Sequence, residues 1–459
     1  MGKRKWYDMR EFLAFLESNK DVMHIREQVD PGWEINGITR VGLQEGGPTI
    51  VFHNIKGADY PLVTNMLGAD RRYLWALGID KWSDFNAEWI RRTEKMVPWR
   101  VVKDAPCQEQ VIKGRDIDLH RICNVIWHQH DGGEFPGTLS VSVTRDPDTG
   151  VETEGYHRFQ VKARHRMGVS LHSRRRMFEY QRRAEARGKA LPCAIVLGLH
   201  PLVSMGSLAY PPADVGKFEV VGGLFGEPLE VAPCATLDLS VPAAAEIVIE
   251  GEILAGAREP EGPFGEFTGY FSRRSTEHVF QATALAMRER PWFQSIGSGR
   301  AGDHITTLGL VREAEILNAL TRAIPNVTGV HVPLSGTASF TAYVALGQSR
   351  PGEAKHAIAI ALGVDHYLKL VVVVDDDIDV FDESDVLWAV ATRMQADRDL
   401  VVIPGSLGAM LDPSADERGV TAKLGIDATR PFGQPFAEKL VMPPDRMAWA
   451  CALVDRLGR

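Results

Sequence analysis

The sequence predicts a mixed α/β chain in three parts, a sheet-rich middle between two regions that mix helices and strands. Three observations predict it. An amphipathic helix and a short strand fall in the first hundred residues. Apolar runs separated by turn signals recur from about Arg115 to Gly299, and helix and strand patterns alternate beyond Ile324. A length of 459 residues allows about three domains of roughly 150 residues each. The composition, 44% hydrophobic and 24% charged, excludes a disordered, collagen-like or coiled-coil protein.

The elements follow in order. Met9, Phe12, Leu13, Phe15 and Leu16 form the apolar face of an opening helix, and residues 49–53 read as a strand. In the middle region residues 139–143, 193–199 and 246–254 read as strands, with a hairpin tip at Asp148 to Gly150. Leu310, Ala314, Leu317, Leu320 and Ile324, spaced by three and four, predict a helix for which Asp303 is the cap. Residues 327–332 and 370–374 then read as strands, 354–362 and 385–393 as helices, and 446–457 as a last helix that docks elsewhere.

Charge and cysteines narrow the class. Lys plus Arg is 52 against 60 for Asp plus Glu, a net charge of −8, so nothing draws the chain as a whole to nucleic acid or an anionic membrane. The amino terminus lacks the apolar core of a signal peptide, and the longest apolar block is far too short to span a bilayer. Five cysteines (Cys107, Cys123, Cys193, Cys234, Cys451) without CxxC spacing argue against a disulfide framework or a structural zinc site. A reduced, cytoplasmic protein is expected.

Five motifs carry chemistry. Gly297-Ser298-Gly299-Arg300-Ala301-Gly302 matches GxGxxG, yet the next strand ends in His331-Val332-Pro333 and not in the acid a dinucleotide site needs. Asp375-Asp376-Asp377-Ile378-Asp379 fits DDxxD, but it follows a valine strand where diphosphate chemistry uses a helix face; turn capping or arginine pairing is expected. Trp127-His128-Gln129-His130-Asp131 offers an H-x-H with no third ligand at recognisable spacing and reads as a solvated loop. Tyr156-His157-Arg158-Phe159-Gln160-Val161-Lys162, followed by His172-Ser173-Arg174-Arg175-Arg176, suits one phosphate or a solvated basic face. Finally, Pro260 to Tyr270 holds Glu261 and Glu266 in a backbone stiffened by glycine and proline. Rigid display of two acids suits acid/base work, and an exposed turn fits the composition equally well.

Together these stretches resemble the UbiD family of decarboxylases, which use prenylated FMN, from about Arg115 to Pro431. The most specific piece is Glu-Gly-Pro-Phe-Gly-Glu at 261–266. It is joined by Arg158 in a Tyr-x-Arg-x-Gln-Val context, GGLFGEPLE at 222–230, VVDDDIDVF at 373–381 and WAVATR at 388–393. The resemblance implies an N-terminal α/β region (1–114), a central split β-barrel that binds the flavin (115–302), a linker helix (303–324) and a C-terminal α/β domain with a dimerisation role (325–459). The family's catalytic trio falls on Arg158, Glu261 and Glu266. Glu266 is then the proton donor, and Arg158 with Glu261 the pair that organises substrate and cofactor. Cofactor contacts fall on Thr153, Tyr156, His157, Arg158, Ser170, Leu171, His172, Arg174, Arg175, Arg176 and Lys217, and His304 is a candidate for facing substrate.

The implied reaction is non-oxidative, reversible decarboxylation of an aromatic, heteroaromatic or α,β-unsaturated carboxylic acid. The implied partners are a second copy of the chain, as a homodimer or an assembly of dimers, and a flavin prenyltransferase that supplies the cofactor. The alternative is a catalytically silent UbiD-like subunit that binds flavin or serves assembly, against which the intact trio argues. A nicotinamide oxidoreductase rests on GSGRAG alone. One departure concerns the metal. The family usually holds the flavin phosphate through a divalent ion, often manganese with potassium nearby, bound by Asn, His and Glu. The matching positions are Thr153, a residue among Arg174 to Arg176, and Lys217. A lysine supplies the single positive charge that a carboxylate and a divalent ion supply together, so a largely metal-free anchor is expected. A shifted register would instead gather Glu219, His172 and Glu152 or Glu154 into an oxygen-rich site for manganese or magnesium.

Overall fold

Helix Met9–Ser18 starts where the Asp8 carboxylate accepts the Glu11 N–H at 2.8 Å, and it buries Met9, Phe12, Leu13 and Leu16 at the expected spacing. The protein is described from a computed structural model covering residues 8–42, 46–122, 125–136, 140–172, 174–300, 302–347 and 350–458. Cys123, Leu139, Ser173 and Ala301 of the motifs above lie outside the described residues. The opening helix covers a four-stranded sheet in the order Val22–Val29, Thr49–Ile55, Leu62–Thr64, Phe293–Gln294. Its last strand arrives from more than two hundred residues downstream, so the first part of the chain is completed by the middle part.

The middle sheet runs in the order Glu152–Tyr156, Val141–Arg145, Leu191–Leu197, Ile247–Glu261, Ser275–Met287, Arg166–Ser170, Arg158–Ala163, every neighbour antiparallel. Its two end strands are separated in sequence by His157 alone. A sheet whose ends are covalently adjacent must curl onto itself, and the missing ladder between those ends leaves a barrel split at one seam. Gly150, at φ +78°, makes the predicted hairpin tip between Val141–Arg145 and Glu152–Tyr156. The strand expected at 246–254 runs on to Glu261. Glu261 therefore stands on a paired strand end, and only Glu266 lies in the loop.

Five further strands form the C-terminal sheet in the order Val327–His331, Thr341–Leu346, Leu370–Asp375, Val420–Asp427, Leu400–Leu407. Val371 to Val374 in the central strand are all buried, as expected where helices Glu353–Val364 and Glu383–Arg393 flank a parallel core. The acidic run that follows is structural. Arg393 donates to Asp375 at 2.7 Å and to both Asp377 oxygens at 3.0 and 2.8 Å, and the Arg430 N–H reaches Asp375 at 2.8 Å.

The long helix is Gly302–Thr321 and stops short of Ile324. Asp303 is not its cap. It sits inside the first turn, and its Oδ2 accepts the N–H groups of Gly297 and Asn65, each at 3.0 Å, tying the glycine-rich turn to the N-terminal region. Burial pushes the Asp303 carboxyl up to about 7. A raised carboxyl binds its proton more tightly when folded, so its contribution is full at low pH and is lost as pH rises. The wild type should therefore lose stability relative to Asp303→Asn between about pH 4 and about pH 7 in urea unfolding. Parallel stability–pH curves would show that Asp303 titrates freely.

The final helix, Pro444–Arg456, buries none of its residues against its own chain and leaves Met447, Trp449 and Val454 exposed. Among the described residues no helix is long and apolar enough to cross a membrane.

Candidate active site

The split barrel, the long helix and the C-terminal segments around residues 364–367 and Leu411 line a cavity of about 510 Å³, within the usual range for small-molecule sites. Arg158 begins a barrel strand paired with Ser170, and Glu261 ends the strand that pairs with Ser275. The guanidinium meets Glu261 side on: Nε donates to Oε1 at 2.9 Å and Nη2 to Oε2 at 2.5 Å. Nη1 donates to Glu266 and, at 3.3 Å, to Ser272 Oγ, while the Phe264 ring lies 5.2 Å from Cζ. Glu261 is fully buried and Glu266 6% exposed.

The loop between the two glutamates is held from three sides. Gln160 Oε1 accepts the Gly262 N–H at 3.1 Å, Ser272 Oγ accepts the Phe264 N–H at 3.1 Å, and Asp131 Oδ1 accepts the Gly265 N–H at 3.0 Å. The Gly132 N–H donates to the Pro263 carbonyl at 2.7 Å. Neither approach tolerates a side chain: a Cβ on Gly132 would strike the Gly262 carbonyl, and one on Gly265 would strike the His128 ring. Gln129 and His130 of the WHQHD segment are exposed, as expected of a solvated loop, but the Asp131 side chain is buried and clamps the loop between the two glutamates, accepting also the Trp127 and His128 N–H groups at 3.1 and 2.8 Å. Asp131→Ala removes all three acceptances. Turnover should fall by roughly 10- to 100-fold from the loosened geometry, with FMN affinity unchanged. Unchanged turnover would show that the loop holds without the clamp.

Burial raises the Glu266 carboxyl above the usual carboxylate range, against the opposing pull of Arg158. Burial likewise opposes the Arg158 charge, but Glu266 and Glu261 outweigh it and keep the guanidinium firmly protonated. The result is one buried cation between a carboxylate locked to it and a second carboxyl whose hold on its proton burial strengthens.

His304 lines the same cavity. Its Nδ1 accepts the Gly299 N–H at 3.2 Å, and burial pushes the imidazole down to about 4, so Nε2 carries the proton of a neutral ring. Phe267 packs edge-on to His304 and parallel to Tyr367 of the C-terminal part, with centroids 6.5 and 6.0 Å apart. The C-terminal wall is fixed by Asp365, which accepts from Arg312 at 2.7 Å, Arg175 at 3.0 Å and the Tyr210 hydroxyl at 2.8 Å. Burial opposes ionisation of Asp365, yet the two arginines hold its carboxyl far below the ordinary range.

Of the residues expected to contact cofactor, Thr153, Tyr156, His157, Ser170, His172, Arg174, Arg175, Arg176 and Lys217 line the cavity, as Arg158 does; Leu171 packs into the core behind it. The basic run is therefore not a solvated face. Its members differ, however. Arg175 is committed to Asp365, and Arg176 to the carbonyls of Val215, Pro211 and Pro212 at 2.9, 2.6 and 2.7 Å. Lys217 Nζ donates to the Ser207 carbonyl at 2.5 Å. Burial lowers the His157 imidazole to about 4, and its Nδ1 lies 2.6 Å from Ser142 Oγ.

The donor set suits a flavin mononucleotide, offering cations for a phosphate and a buried Thr153 hydroxyl that lacks a protein partner. It does not suit a divalent metal. Of the shifted register, His172 Nε2 is paired with Glu277 at 2.9 Å and Glu152 with Arg145 at 2.7 Å, which leaves the unpartnered oxygens of Glu154 and Glu219 without a third ligand. Among the described residues no three His, Cys, Asp or Glu side chains are placed to hold an ion.

This fold and site define a carboxy-lyase of the UbiD class. Family models of the 3-octaprenyl-4-hydroxybenzoate carboxy-lyase match the chain as an N-terminal domain at residues 13–87, a Rift-related domain at 100–301 and a C-terminal domain at 305–428. The chain belongs to that family. It is similar to the UbiD-class enzyme HmfF of Pelotomaculum thermopropionicum, solved with FMN, at 35% identity over 97% of this chain and 99% of that one, with a TM-score of 0.88. An evolved dimeric form of HmfF, solved with prFMN, is 33% identical over 97% and 100% of the two chains, again at 0.88. The vanillic acid decarboxylase of Sedimentibacter hydroxybenzoicus, in its closed form, is 31% identical over 99% and 100%, with a TM-score of 0.89.

Proposed function

We propose that this chain is a non-oxidative decarboxylase of an aromatic, heteroaromatic or α,β-unsaturated carboxylic acid, reversible in direction, with prenylated FMN as its cofactor. The observation that carries the reading is the buried Arg158 held between Glu261 and Glu266 on the cavity wall. Loss of carbon dioxide from an sp² carbon leaves an electron pair that no side chain here can accept, and prenylated FMN supplies that sink when bound.

The chain's own residues do the rest. An arginine carries five N–H donors. Glu261 takes two, Glu266 and Ser272 engage Nη1, and one on Nη2 stays available to a substrate carboxylate. A carboxylate that also takes Nη1 displaces Glu266 from its cation, which raises the Glu266 carboxyl further and favours its protonated form. Glu266 then delivers that proton to the carbon from which carbon dioxide has left. Glu261, fixed at its strand end, keeps Arg158 from following the departing group. His304 presents Nε2–H to the substrate, and Phe267 and Tyr367 form an apolar wall for a conjugated ring.

The functional division we propose is 1–114, 115–302, 303–324 and 325–459, in a cytoplasmic homodimer or assembly of dimers supplied by a flavin prenyltransferase. The exposed apolar face of helix Pro444–Arg456 supports the dimer. Deleting residues 444–459 should shift the protein to monomer in light scattering, with its melting temperature little changed; an unaltered assembly would rule the helix out as the contact. The reaction itself is tested by offering flavin-loaded protein a panel of conjugated carboxylic acids. Release of carbon dioxide equimolar with the decarboxylated product, without oxygen or nicotinamide consumption, is expected. Release of none from any member would contradict the proposal.

A further inference from the structure

We infer that this chain anchors the flavin phosphate with Lys217 and its neighbouring arginines in place of a divalent metal, with Glu154 as the buried partner of Lys217. The inference rests on the flavin reading above and concerns one wall of the same cavity.

The charges lining the cavity sort themselves into groups. Arg158 is answered by Glu261 and Glu266, and Asp365 is shared by Arg175 and Arg312. That leaves Arg174, Arg176 and Lys217, with Glu154 as the one other carboxylate of the lining. Three cationic side chains stand beside that one carboxylic acid, and a phosphate monoester carries close to two negative charges at neutral pH. Glu219 and Glu315 also act on this group through space but do not line the cavity.

The wall is also unfinished in its hydrogen bonds. Thr153 Oγ1 and both Glu154 carboxylate oxygens are buried without a protein partner, in residues only 2% exposed. Buried polar groups left this way are costly, which argues that a ligand completes them. An ammonium has three donors, and Ser207 takes one from Lys217. Two remain, enough for a phosphate oxygen and for an oxygen of Glu154, which accepts in either protonation state. The helix Lys217–Phe225 opens at the same wall from Gly216, with no side chain capping its first N–H groups, and so adds its positive end to the site. With nothing else bound, burial pushes Lys217 down to about 7 and Glu154 up to about 8, and an incoming dianion favours both the charged lysine and the protonated Glu154. A divalent ion at this wall would meet the ammonium directly, with no set of three acidic or imidazole ligands to hold it.

The test compares FMN with riboflavin, which lacks the phosphate, by fluorescence titration of the cofactor-free chain in EDTA and in manganese. FMN should bind equally well in both, and flavin-loaded protein should carry far less than one transition-metal ion per flavin. Lys217→Gln should weaken FMN by about 10- to 100-fold, the loss of one charge-assisted contact, while leaving riboflavin affinity unchanged. Release of FMN by EDTA with recovery in manganese, or one tightly held divalent ion per flavin, would overturn the inference, and this arm needs no variant to fold. Equal weakening of FMN and riboflavin by Lys217→Gln would also overturn it. A chain that binds neither compound would instead contradict the flavin reading itself.

Discussion

Glu266→Gln should lower turnover by about 10²-fold or more while flavin occupancy stays the same. Glutamine matches glutamate in size and can still accept from Arg158 Nη1, so the wall of the cavity survives. What it lacks is a proton to give. The pH dependence separates this role from a merely structural one. Because burial raises the Glu266 carboxyl, its protonated form persists above the usual carboxylate range. Decarboxylation by the wild type should therefore hold at mildly acidic pH and fall as pH rises through that raised value. In the glutamine variant this limb should vanish along with the rate. Turnover at the parent rate would remove Glu266 from the mechanism.

Arg158→Met should cost about 3–5 kcal/mol of folding stability, beyond abolishing activity. The side chain is buried together with Glu261, and removing the cation strands a carboxylate that has no access to water. An exposed pair would be worth about 1 kcal/mol at most, so the size of the loss reports the burial itself. Replacing Arg158 and Glu261 by methionine and Glu266 by glutamine together should recover much of that stability, because no charge is then left unpaired, and should recover none of the activity. Urea unfolding of the three proteins measures this directly. A single variant within about 1 kcal/mol of the wild type would mean that solvent reaches the pair.

Sequence reasoning reached those features that have a local signature. The opening helix showed itself in the spacing of Met9, Phe12, Leu13 and Leu16, and the catalytic loop in its glycines and proline between two acids. The valine strand and the acids after it read correctly as core and arginine partners. What escaped was non-local. Asp131 reaches the catalytic loop across 134 positions, and Asp365 meets Arg175 across 190, so neither contact leaves a trace in nearby residues. Asp303 has the right residue type and place for a helix cap, but its carboxylate is claimed by the backbone N–H of Gly297, six residues before it, and by that of Asn65, 238 positions away. Glu154 enters the sequence reading only as a metal ligand of a shifted register, whereas its two unpartnered oxygens lie in the cavity wall with no set of ligands around them among the described residues.

The mass and visible spectrum of the small molecule bound after co-expression with a flavin prenyltransferase test the central claim most directly. A chain that places Arg158, Glu261 and Glu266 against a phosphate-binding wall should retain a flavin heavier than FMN by one prenyl unit, with a spectrum distinct from that of FMN. Protein that carries no flavin across repeated preparations would contradict it.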